Sequence, residues 1–156
     1  MIQRVQTLYL LLATVLMSLT LFLPLATLSQ EGANDIVIKA FVIDGADGLA
    51  TQLPLYLGIM LSLPTLLSFV TIFLFKKRLV QIRLCVSNMV LLIGAIAMIA
   101  LYEYRIYDVL SSGLGELGFK FELVSLMPVF ALILVALAMR GVAKDEALVR
   151  SLDRIR

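Results

Sequence analysis

The chain has one thiol, Cys85, two residues after Arg83, and a nearby positive charge lowers a thiol's pKa. A reactive thiol also needs access and a base, and the sequence contains no histidine to act as one. Cys85 therefore reads as a small packing residue. Ser87, Ser111 and Ser112 lack a triad for the same reason. With a single cysteine, neither an intramolecular disulfide nor the usual zinc and copper ligand sets can be assembled within the chain. The 11 Asp and Glu fall in no recognised calcium or magnesium loop, and no phosphate-binding glycine loop or dinucleotide fingerprint occurs. No catalytic residue, metal ligand or cofactor site is expected, and the chain is expected not to be an enzyme.

The remaining polar candidates lie within or beside long apolar runs. Asn88 is the most polar side chain inside such a run, with Ser62, Thr65, Ser68 and Thr71 along another. Each can bond a helix carbonyl or a neighbouring helix. Asn88 reads first as glue between helices and second as a substrate contact. Glu103, Tyr104, Arg105, Tyr107 and Asp108 cluster where one run ends. The tyrosines suit an interfacial aromatic belt and the charges a solvated helix end, with a recognition surface as the alternative.

What positions these residues follows from composition. Hydrophobic residues make up 62% of the 156, and charged residues, only 15%, collect in patches between apolar runs. A soluble domain disperses its charges, so bilayer rather than water is the expected solvent. A transmembrane helix needs about 20 apolar residues. Four stretches qualify, at about 7–28, 54–75, 84–101 and 124–139, and none contains Asp, Glu, Lys or Arg. The first is longer than a secretory h-region, lacks a convincing cleavage site, and reads as a retained anchor.

Orientation follows from basic residues near the span ends. Arg4, Lys76, Lys77, Arg78, Arg83, Arg140, Lys144, Arg150, Arg154 and Arg156 fall on one side, and Lys39, Arg105 and Lys120 on the other. The expected fold is an all-α membrane protein, a single four-transmembrane-helix bundle in a bacterial inner (cytoplasmic) membrane with both termini cytoplasmic. The two longer outer connections are acidic. DIVIKAFVID, from Asp35 to Asp44, suits a strand before the glycine turn at Gly45 and Gly48, and FKFEL, from Phe119 to Leu123, alternates like a half-buried strand. Pairing of these two segments in a small extracytoplasmic β cap is one reading; an ordered loop without pairing is the other. Pro64 should kink the second span. Gly94, Ala95, Ala97 and Ala100 offer small side chains for a seam within the bundle or for self-association. The tail 140–156 should continue the last span as a cytoplasmic amphipathic helix, with Leu148, Leu152 and Ile155 as its apolar stripe. Its acids Asp145, Glu146 and Asp153 weaken the lipid and RNA readings relative to a protein contact, and no direct nucleic-acid binding is expected.

The opening MIQRVQTLYLLLA, the segment KKRLVQIRLCVSN and the tail RGVAKDEALVRSLDRIR together resemble a family of small four-span membrane proteins of Bacteroidota, the domain-of-unknown-function family DUF4293. The resemblance covers the whole chain and implies the topology without an activity. It points to the cytoplasmic face, where Arg4, Gln81, Asn88 and Ser151 join the candidate partner contacts Lys76, Lys77, Arg78, Arg83, Lys144, Asp145, Glu146, Arg150, Asp153 and Arg154. The leading expectation is a non-enzymatic accessory or scaffold subunit of an inner-membrane assembly, in one version beside a protein-export or envelope-biogenesis machine. The lipid bilayer and other membrane proteins would be its partners, with homo-oligomers left open. The alternative is a small-molecule or lipid binder or transporter using a cavity inside the bundle, shaped by Pro64 and Asn88.

Overall fold

Pro24 lacks an amide hydrogen and disfavours helix at the residue before it, so the first apolar run does not remain helical to its end. In the computed structural model, which describes residues 2–29, 35–44, 53–74, 77–114 and 118–153, helix α1 spans Ile2–Phe22 and strand β1 spans Ala26–Ser29. The expected span of 7–28 is thus divided between a helix and a strand. Strands β2 (Ile36–Ile38) and β3 (Ile43–Asp44) follow, then α2 (Leu53–Phe73), α3 (Arg78–Leu114) and β4 (Gly118–Phe121). A 3-10 turn at Leu123–Leu126 leads into α4, Met127–Asp153.

All four helices are long and apolar enough to cross a membrane. At about 1.5 Å per residue, α1 and α2 are each about 32 Å long, close to the ~30 Å hydrocarbon core. α3, with 37 residues, reaches about 55 Å, and α4, with 27, about 40 Å. α3 therefore extends well past the expected 84–101 at both ends, while α4 begins after the expected 124 and runs on past 139 through the tail. Pro64 lies inside α2, whose helix runs through it from Leu53 to Phe73.

Each helix buries one stripe at alternating spacings of three and four. In α1 it is Gln6, Leu10, Ala13, Met17 and Thr20; in α2 it is Leu57, Leu61, Pro64, Ser68 and Thr71. In α3 it runs Gln81, Cys85, Asn88, Leu92, Ala95, Ile99, Tyr102 and Ile106, and in α4 Pro128, Ala131, Val135, Ala138 and Val142. A mean spacing of 3.5 residues is the seam of bundles whose helices pack side by side, knobs-into-holes. The helices contact in the cycle α1, α2, α3, α4 and back to α1. Large apolar side chains such as Leu8, Leu66, Phe69, Val90 and Ile133 face outward, which suits a surface in contact with lipid. Of the small residues on α3, Ala95 is buried and Gly94 lies against Met60 of α2, while Ala97 and Ala100 are exposed. The close seam is therefore narrower than the stripe of small residues.

The sheet at one end has the order β3-β2-β1-β4, all antiparallel. The two segments expected to pair with each other are in it but do not pair, because β1 lies between them. β1 fits that central place because Ala26 and Leu28 alternate inward, each with a partner on either side: Ala26 opposite Ile38 and Phe121, Leu28 opposite Ile36 and Phe119. The segment read as one strand from Asp35 turns back on itself, closed by the Lys39 amide donating to the Val42 carbonyl. Leu25, Leu28, Ile36 and Ile38 share one core with Tyr102 and Ile106, so the length of α3 beyond its apolar run is used to hold the sheet.

Candidate functional site

Polar side chains occupy the bundle seam in two places. Towards the α2–α3 turn, Thr65, Ser68 and Thr71 lie on α2 and Gln81, Cys85 and Asn88 on α3, all buried. The Asn88 side-chain amide donates to Ser68 Oγ at 2.7 Å, while Asn88 Oδ1, on a side chain 1% exposed, has no partner. Thr65 and Thr71 return their hydroxyl protons to the carbonyls of Leu61 and Leu67. Asn88 thus ties two helices together and keeps an acceptor unpaired. Cys85 is buried among these residues, away from any exposed surface where a thiol could react.

At the same end, α1 meets the extension of α4. Gln6 Nε2 donates to Asp145 Oδ2 at 2.8 Å, and a side chain at Gly141 would collide with Gln6. This contact brings the start of the chain beside the tail, with the α2–α3 turn at the same end of the bundle. Of the candidate contacts, Lys77, Arg83 and Lys144 are exposed, Arg78 and Glu146 half-buried, and Asp145 is engaged with Gln6. Lys76 and Arg154, and the side chains of Arg150 and Asp153, lie outside what is described. Leu148, the first residue of the tail's apolar stripe, is 51% exposed on a helix that continues unbroken to Asp153.

The second place, at the sheet end, corrects the expectation of a solvated helix end around Glu103. Tyr104, Arg105 and Asp108 are exposed, but Glu103 is only 5% exposed. Ser125 Oγ, in the 3-10 turn before α4, lies 2.9 Å from Glu103 Oε1 and 2.5 Å from the Leu25 carbonyl oxygen, joining α3, α4 and the α1–β1 junction. A signal for this burial was present in the sequence. The 3.5-residue stripe of α3 continues through Tyr102 and Ile106, so position 103 stays on a packed helix. The tyrosine hydroxyl of Tyr102, also buried, has no hydrogen-bond partner.

Among the described residues, no group of three or more His, Cys, Asp and Glu is placed to hold a metal ion. A family model described as a domain of unknown function, DUF4293, matches residues 2–155. No curated protein and no solved structure matches the chain.

Proposed function

The chain belongs to the DUF4293 family, and from that premise we propose that it is a non-enzymatic accessory or scaffold subunit of a bacterial inner-membrane assembly. In this reading both termini and the α2–α3 turn face the cytoplasm, the sheet is an extracytoplasmic cap, and the tail is an amphipathic contact helix. The carrying observation is the combination at one end of exposed Lys77, Arg83 and Lys144 with exposed Leu148 and Val149 on an α4 longer than the hydrocarbon core is thick. Exposed apolar side chains on a projecting charged helix are what a helix-in-groove contact requires. A protein-export or envelope-biogenesis machine offers such a cytoplasmic surface. The test is purification of the tagged chain from its native membrane in mild detergent, with quantitative mass spectrometry of co-eluting proteins. A partner at constant ratio, lost in a Leu148→Asp, Lys144→Glu variant, is the expected result; a chain that elutes alone removes the reading.

A second reading, a small-molecule or lipid binder or transporter acting inside the bundle, draws on the unpaired Asn88 Oδ1. Ligand binding unchanged by Asn88→Leu would count against it.

A further inference from the structure

Beside the sheet, Ala100, Glu103, Tyr104 and Tyr107 of α3 and Phe121 of β4 line a lateral groove of about 420 Å³. Its existence follows from the strand order. Phe121 lies opposite Ala26, and cross-strand partners project to the same face of a sheet. Ala26, on an inner strand, is fully buried, whereas Phe121, on the edge strand β4, is 55% exposed. It faces the part of α3 just past its apolar run, at the level where tyrosines mark a membrane–water boundary.

The wall of this aromatic groove contains one charged residue, and it is short of hydrogen-bond donors. A serine hydroxyl has one proton, and Ser125 has two acceptors within reach, with the Leu25 carbonyl at 2.5 Å closer than Glu103 Oε1 at 2.9 Å. Among the described residues no Lys or Arg forms an ion pair with Glu103. A buried carboxyl without enough donors is costly, and a ligand bringing N–H groups and positive charge would relieve that cost. Tyrosine faces favour a cation as well. The rest of the lining, Ala100 and the rings, suits a hydrocarbon chain.

We propose that this groove binds a membrane lipid with a primary ammonium headgroup, of the phosphatidylethanolamine class. The ammonium sits at Glu103 between Tyr104 and Tyr107, and an acyl chain runs along Ala100 and Phe121. This site is distinct from the cytoplasmic contact surface and from any cavity inside the bundle, and its test is independent of both.

The test is native mass spectrometry of the full chain in detergent, titrated with phosphatidylethanolamine, phosphatidylglycerol and diacylglycerol carrying the same acyl chains. The expected result is a single phosphatidylethanolamine adduct, preferred over the other two by about tenfold, with that preference lost in Glu103→Gln and reduced in Tyr104→Leu. Tyr104, 66% exposed, keeps the test valid should Glu103→Gln fail to fold. Equal binding of the three lipids, meaning recognition of the chain alone, overturns the proposal. So does a Glu103→Gln or Tyr104→Leu variant that folds and keeps the full preference.

Discussion

At Ser125 a single hydroxyl faces two acceptors from other elements, the Leu25 carbonyl at the α1–β1 junction and the Glu103 carboxyl of α3. Ser125→Ala leaves the Leu25 carbonyl and the Glu103 carboxyl without that donor, and is expected to lower stability by about 1–3 kcal/mol, read as an earlier thermal unfolding midpoint in detergent. Asn88 is a different case, since its donated bond to Ser68 is offset by an unpaired Oδ1. Asn88→Ala alone therefore mixes a lost bond with relief of an unsatisfied acceptor, whereas Ser68→Ala leaves the whole Asn88 amide unpaired. A double-mutant cycle of Asn88→Ala and Ser68→Ala isolates the bond, with an expected coupling of about 1 kcal/mol; a coupling near zero would show that the two side chains only pack.

Between elements, two junctions rest on particular residues. Gly141 permits α1 to approach α4, since a Cβ there would lie 2.9 Å from Gln6 Cγ. Gly141→Leu should displace Gln6 from Asp145 and cost about 1–3 kcal/mol of stability, measured by chemical denaturation in mixed micelles. β1 pairs on both edges, so the Thr27 amide lies in a ladder whichever neighbour it faces. Thr27→Pro removes that donor from a central strand, which sheets tolerate poorly. Hydrogen exchange should then show lost protection at both Ile36–Ile38 and Gly118–Phe121; unchanged protection would mean that β1 does not bridge them.

Over the whole molecule, the proposed orientation puts Lys77 and Lys144 on one side of the membrane and Lys120 on the other. In a Cys85→Ala background, single cysteines at these positions should divide accordingly: Lys120→Cys labelled by an impermeant maleimide in intact spheroplasts, and Lys77→Cys and Lys144→Cys only in inverted vesicles. Labelling of all three from one side would refute the arrangement. The sequence by itself determined that four helices are long and apolar enough to cross a membrane, because lipid demands long runs free of charge, and those runs are local and countable. Its opening, the segment KKRLVQIRLCVSN and the tail also carried the family resemblance. Only the tertiary structure decided that 26–29 leaves the first span to become the centre of the sheet, since a strand's place depends on partners distant in sequence. The burial of Glu103 was half legible, in the stripe that continues to Ile106, but its meeting with Ser125 and Leu25 was not. Ser125 lies 22 positions from Glu103 and 100 from Leu25 along the chain, and only the packing of α3 against α4 and the α1–β1 junction brings their oxygens within hydrogen-bond reach.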